Sequence, residues 1–481
     1  MMRFLFAAKG LAIAAATTLV IGSAATAQAQ SGRSQVKQYD DGGLYEGTFN
    51  DNGLQHGRGS YRLPNGFEYT GDWLDGEITG TGEARYPDGA VYVGSFLRGK
   101  PHGTGKITYS DGGTYEGTWQ EGDITGTGLA RYPNGAFYEG EFRDGQYHGE
   151  GRLEHADGHV FEGSWEDGMQ AGQGRILYPT GESYDGEIAE GSPDGTGRLT
   201  QPDGLQYEGE WAAGQIEGTG TLRYSNGDTY TGQFTAGERN GEGTMTYANG
   251  DVFEGTFKED RRHGAGTLTG ADGYHYTGNW DAGRINGHGT VTYPDGSQYT
   301  GQFRDEQAHG IGKISYPDGS TYEGDWVDGV IEGKGRAEYA NGISYEGDFA
   351  NAKSHGFGVL RFANGFEYEG AWVEGRRTGE GTARYEDGTI YAGSFLNGKR
   401  HGIGAMTVPN GFRYDGAWLN GEMTGTGTAT YASGDRYEGQ FESGRRHGTG
   451  TLYYASGEVR SGIWHNGILH GGGAAAPNLT D

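Results

Sequence analysis

Residues 385–395 read Tyr-Glu-Asp-Gly-Thr-Ile-Tyr-Ala-Gly-Ser-Phe, and this stretch decides the fold. Tyr385-Glu-Asp387-Gly388 has the form of a type I turn with Gly in its fourth position. In Tyr391-Ala-Gly393-Ser-Phe395, the alternate residues Tyr391, Gly393 and Phe395 share one face, as a β-strand requires. A type I turn followed by a left-handed glycine is the three-residue hairpin loop with a bulge.

Moving outward, the same unit recurs along the chain. Tyr/Phe-x-Gly starts at Tyr45 and again at Tyr69; from there seventeen steps of 23 residues lead through Tyr322, Tyr345, Tyr368 and Tyr391 to a degraded copy at Arg460. Eight of the eleven prolines, among them Pro87, Pro294 and Pro409, occupy the second turn position, where φ near −65° is wanted and no amide donor is needed. Asp or Asn precedes the turn glycine in 16 of 19 copies. Each unit is a β-hairpin's worth of chain, and successive units pair edge to edge. The expected fold is all-β: an elongated repeat array of antiparallel β-hairpins forming a twisted single-layer sheet or rod. Two strands from each of 19 copies would extend it roughly 180 Å. Every hairpin then depends on its neighbours for a core.

The consensus is Tyr-Glu-Gly-x-(Phe/Trp)-x-x-Gly-x-x-x-Gly-x-Gly-x-x-x-Tyr-Pro-(Asp/Asn)-Gly-x-x. It closely resembles the MORN (membrane occupation and recognition nexus) repeat, over residues 45–471, in an exported protein of bacterial type. The aromatic-glycine repeats of bacterial wall-binding proteins are a second comparison, but they lack the regular Tyr-x-Gly-x-aromatic core. The MORN resemblance implies a non-enzymatic array serving in assembly and self-association.

Composition agrees with an all-β repeat. The 481 residues include 99 Gly and no Cys, and the formal charge is −28. A glycine every fifth residue would cost a helix up to about 1 kcal/mol each time. Without cysteine there are no disulfides or thiolate metal sites. The acidity argues against nucleic acid or an anionic membrane held by charge.

Residues 1–29 read as a secretory signal peptide. Arg3 and Lys9 precede an apolar run from Gly10 to Gly22, followed by the small-x-small sites Ala25-Thr26-Ala27 and Ala27-Gln28-Ala29. The mature chain is expected to start near Gln28 or Gln30, in the periplasm, at the cell surface or secreted. Residues 30–44 form a linker or cap, and 472–481 a tail.

The aromatic four residues after each anchor alternates between Phe and Trp over much of the chain, and the residue eleven further on changes in the opposite sense. Trp326 goes with Ala337 and Trp372 with Ala383; Phe349 goes with Leu360 and Phe395 with Met406. The simplest expectation is that the members of each pair touch and fill a fixed volume. Between 161 and 291 the rule fails, with Ile188 in an aromatic position, and a bend there is one reading. Separate duplications joined without mechanical consequence is the other.

Nine histidines share one His-Gly slot, from His56 to His470, and most neighbours lie four strands apart, roughly 19 Å. No zinc site closes over that distance. They are expected to be loop residues donating to backbone carbonyls, or else a pH-sensitive row. Gly94–Lys100 and Gly393–Lys399 brush the phosphate-loop pattern, but Pro101 and Arg400 stand where Ser or Thr should hold magnesium. No residue is selected as catalytic, and no cofactor or metal is expected. Acidic residues follow the anchor in 12 of 19 copies and should form a solvated face opposite the rings.

What remains is the aromatic row, which must be covered by curling, a second chain or a ligand. Tyr322, Trp326, Tyr345, Phe349, Tyr368, Trp372, Tyr391 and Phe395 are the candidate binding groove. Protein partners, with self-association, are the first expectation; a glycan or cell-wall polymer stacking on the rings is the second, and a lipid surface the third.

Overall fold

The computed structural model describes residues 33–471, all β apart from turns. The expected export segment, 1–29, and the tail, 472–481, lie outside the described residues. Thirty-nine strands, β1–β39 in chain order, run from β1 (Gln35–Gln38) to β39 (Ile468–His470). The chain divides into two compact units, 1–241 and 242–481. The boundary falls inside β19 (Glu238–Thr246), within the irregular segment 161–291.

Each unit is built by sequence-adjacent antiparallel pairing. In unit 2, β25 (Gln307–Ser315) pairs with β26 (Thr321–Val327), which pairs with β27 (Val330–Glu338). β27 then pairs with β28 (Ser344–Ala350), and β28 with β29 (Lys353–Arg361). In unit 1 the same meander starts one strand earlier than the repeat. β1, within the expected linker, pairs with β2 (Leu44–Phe49), placing Gln35 opposite Gly47.

Two turns alternate. The anticipated one forms at 385–389: the Gly388 amide donates to the Tyr385 carbonyl (2.9 Å), and the Tyr385 amide to the Thr389 carbonyl (2.8 Å). Gly388 has φ +81°, and the Asp387 carboxylate accepts the Thr389 amide at 2.9 Å, which explains the Asp/Asn preference. The other turn closes β26–β27 through Asp328 and Gly329, with φ +47° and +82°. Positive φ at both central residues marks the two-residue type I′ hairpin turn, which matches strand twist.

The degraded last copy keeps the architecture. Arg460 takes the anchor position opposite Leu452, and the Trp464 indole still donates to the Gly450 carbonyl at 3.0 Å.

Candidate interaction surfaces

All eight residues of the expected groove are buried within the chain itself. The cause lies in the glycines. Gly312, Gly324, Gly335, Gly347 and Gly358 are directly opposed across successive strands, forming a row without side chains. Each anchor tyrosine lies flat over it. A Cβ placed on Gly335 would fall 2.5 Å from Cε2 of Tyr322, whose hydroxyl donates to the Asp325 carbonyl at 3.0 Å. The second ring of each repeat leans over the preceding strand. The indole of Trp326 donates to the Gly312 carbonyl, and that of Trp372 to Gly358, both at 3.2 Å.

Rings therefore interlock edge to face. Tyr299–Trp326, Trp326–Tyr322, Tyr322–Phe349 and Phe349–Tyr345 have centroid separations of 5.2, 5.5, 5.1 and 5.0 Å. This is the favoured aromatic geometry. In unit 1 the ladder is interrupted where Ile188 replaces the ring; its Cδ1 would lie 3.0 Å from a Cβ on Gly174, beside the Phe161 ring. Burial pushes the tyrosine hydroxyls up, those of Tyr345 and Tyr368 to about 12. The row is covered by the chain's own close packing, and the open groove expected from the sequence is filled.

The expected contact between Trp326 and Ala337 is not made across paired positions. Ala337 lies on β27 between Tyr322 and Tyr345, whereas Trp326 is opposite Ile331 and turns away, over β25. Both ring types face the preceding strand, Trp326 leaning over the strand that carries Ile314 and Phe349 being paired with Gly333 on the strand that carries Ala337, so the larger ring accompanies the larger residue of the preceding repeat.

The His-Gly histidines sit on strands, and where His102 and His309 meet a backbone partner they accept a hydrogen bond from an amide instead of donating one to a carbonyl. The Asp328 amide points to Nδ1 of His309 at 3.5 Å, at the type I′ turn of the next repeat. Glu332 does the same for Asn351 (2.9 Å), and Glu217 for Ala236 (2.8 Å). The slot thus serves the following turn in several repeats, and His, Glu, Asp or Thr can fill it. The two phosphate-loop look-alikes are hairpins, with Leu97 opposite Lys100 and Leu396 opposite Lys399.

The opposite, outer face is solvent-facing, as expected, but its chemistry changes along the chain. In unit 1, Glu139, Arg152, Glu162, Arg175, Asp185, Arg198 and Glu208 are successive cross-strand partners of alternating sign. This stretch is a charge ladder rather than a purely acidic surface. In unit 2, Thr267 bonds Thr277 (3.1 Å) and Thr290 bonds Thr300 (3.0 Å). Farther along unit 2, Ile311, Phe357 and Ile403 stand exposed. Sequence reasoning anticipated this face as acidic and solvated, but not the arginines that alternate with its acids or the apolar residues, because neither belongs to the consensus.

The turn edge of unit 2 holds an open cleft of about 790 Å³, lined by Phe362, Phe366, Tyr385, Glu386, Asp387 and Arg400 among others.

The MORN repeat model matches eighteen consecutive copies between residues 45 and 459. The chain belongs to the MORN-repeat family. Arrays of this family are interaction repeats. No curated protein matches the chain significantly. Among solved structures, the chain resembles the TCP domain of Drosophila melanogaster SAS-4, solved with a proline-rich motif of Ana2. That likeness has 16% identity, covers 37% of this chain and 90% of that one, and has a TM-score of 0.23. Virginiamycin B lyase from Staphylococcus aureus matches at 12% identity over 61% of this chain and 91% of its own, with a TM-score of 0.11. TM-scores this low assign neither a fold nor an activity.

Proposed function

We propose that this MORN-repeat chain is a non-enzymatic, exported scaffold that presents its outer face and turn edges to protein partners. The supporting observation is the division of labour between the faces. The aromatic side is spent on the chain's own core, while the outer residues differ from repeat to repeat. They include charged cross-strand pairs such as Glu162–Arg175 and Lys313–Glu323, threonine pairs such as Thr267–Thr277, and exposed apolar side chains at Ile311, Phe357 and Ile403. A surface freed from the folding constraint is where specificity can be written. Export rests on the character of residues 1–29, and places the mature chain in the periplasm, at the cell surface or outside the cell. The test is capture of partners from an envelope fraction with the mature chain. Outer-face substitutions should remove captured proteins while the melting point stays unchanged; capture indifferent to every outer-face change would overturn the reading.

Glycan binding is a second reading, moved from the filled groove to the turn edge. Phe362, Phe366 and Tyr385 offer ring faces beside the carboxylates of Glu386 and Asp387 in an open cleft. Phe362→Ala should then weaken retention on a cell-wall polymer. A lipid surface is the poorest fit, because a charge of −28 repels anionic headgroups.

A further inference from the structure

We propose that the outer face of unit 2 between Ile311 and Ile403 docks a second copy of the same face, about a two-fold axis along β29 at Phe357. The inference rests on the scaffold reading only in taking the outer face as the contact surface.

The position concerned lies between the two glycines of Gly-x-Gly on the second strand of each hairpin. Seven copies carry Thr there, including Thr426 and Thr449; large apolar residues occur only at Ile311, Phe357 and Ile403. They are 66%, 56% and 65% exposed. Isolated surface hydrophobics need no explanation, but these three are consecutive at every second repeat, in one row, roughly 19 Å apart at four strands each. Two of their strand partners keep the surface low, Ala371 opposite Phe357 and Ala417 opposite Ile403, while Ile311 is opposite Asp325.

The two copies of the position between them carry Lys334 and Glu380. On these second strands the row therefore reads Ile, Lys, Phe, Glu, Ile and is complementary to its own reversal; on the strands between them the axis would set Asp325 against Ser394 and Asp348 against Ala371. A two-fold axis along β29 brings Ile311 onto Ile403 of the second copy, Phe357 onto Phe357, and Lys334 onto Glu380 twice. Isologous contact requires such self-complementarity. Strands of the two sheets would run nearly aligned, about 10 Å apart, as in face-to-face sheet packing. Both charged heads are within reach. Nζ of Lys334 is 3.1 Å from the Asp348 carboxylate on the surface, and the Glu380 carboxylate accepts the Ser394 hydroxyl. On the adjoining row, Glu346 and Glu369 are one strand to either side of β29 and would oppose each other across the axis, so this flank works against the pairing.

Sedimentation of the full chain tests this. Wild type should show a concentration-dependent dimer, tightened by Glu346→Gln. Phe357→Asp should abolish it. Lys334→Glu alone and Glu380→Lys alone should each weaken it by about tenfold or more. Mixing those two variants should restore a dimer, because each crossing then pairs Glu with Lys. All are exposed substitutions, so melting points taken below the dimerising concentration should not move. A monomeric wild type at every concentration, single variants that dimerise as well as wild type, or a mixture no more dimeric than its components would each overturn the proposal. None of these outcomes touches partner capture, which tests the scaffold reading separately.

Discussion

The indole of Trp326 donates to the carbonyl of Gly312, fourteen residues earlier, across the strand pair that opposes Gly324 to Gly312. A ring that leans back onto a bare glycine row, with a tyrosine leaning forward onto the same row, makes a core one side chain thick. The array is thereby held together at each hairpin by its predecessor.

That direction of lean decides a double mutant. Trp326→Phe loses the indole hydrogen bond and part of the buried ring, and Ala337→Leu overpacks the space between Tyr322 and Tyr345. Each should destabilise by about 1–3 kcal/mol. Trp326 turns away from Ala337 and the two meet only through Tyr322, so the double should fall near the sum, within about 1 kcal/mol, and remain less stable than either single in denaturant unfolding. A double mutant more stable than either single would restore the direct contact expected from the sequence pairing.

Glycines differ sharply in cost. Gly335→Ala puts a methyl 2.5 Å from the Tyr322 ring, whereas Gly329→Ala, at φ +82°, meets nothing within 4 Å and carries only backbone strain. The first should cost more than about 3 kcal/mol and the second about 1 kcal/mol, read from melting of purified variants.

Three type I′ turns lack the glycine. Asp260, Glu306 and Ala352 hold φ of +63°, +69° and +58° where other repeats have Gly. Glu306→Gly and Ala352→Gly should each stabilise by up to about 1 kcal/mol, since the left-handed strain removed exceeds the entropy added. A fall in melting point in both would mean those side chains make contacts that outweigh the strain.

Alkaline pH should unfold the array through its tyrosines. Their folded pKa values are raised above the ordinary value of 10, to about 12 at Tyr299, Tyr345, Tyr368 and Tyr414, first because of burial. The unfolded chain therefore loses these protons first. The contribution is fully present below pH 10 and is lost as pH rises through 12. Tyrosinate absorbance should appear together with loss of structure in that window; ionisation centred on pH 10 with the fold intact would contradict burial.

Much of this was legible in advance. Tyr385-Glu-Asp-Gly fixes its own turn because Gly388 needs positive φ and Asp387 can bond the next amide. Tyr391, Gly393 and Phe395 fix the strand and its buried face. The lean of Trp326 was not legible, since spacing along a chain does not say which neighbouring strand a ring will cover. Nor did the sequence show the groove filled, because that depends on Tyr322 lying down on Gly335 instead of standing up. The Asp328-Gly329 turn was visible only as a recurrent glycine, and Glu306 and Ala352 hide it where they replace that glycine. Ile311, Phe357 and Ile403 escaped notice because they depart from the consensus, and a search for periodicity averages such residues away.

The central claim is that the rings form the chain's own core while the outer face meets other molecules. Residue-resolved hydroxyl-radical footprinting of the isolated mature chain tests it most directly. The account predicts strong oxidation at Ile311, Phe357 and Ile403 at low protein concentration, with protection of Trp326, Phe349, Trp372 and Phe395 in the absence of any partner. Ready oxidation of those four rings in the isolated chain, with protection only when a ligand or partner is added, would contradict it.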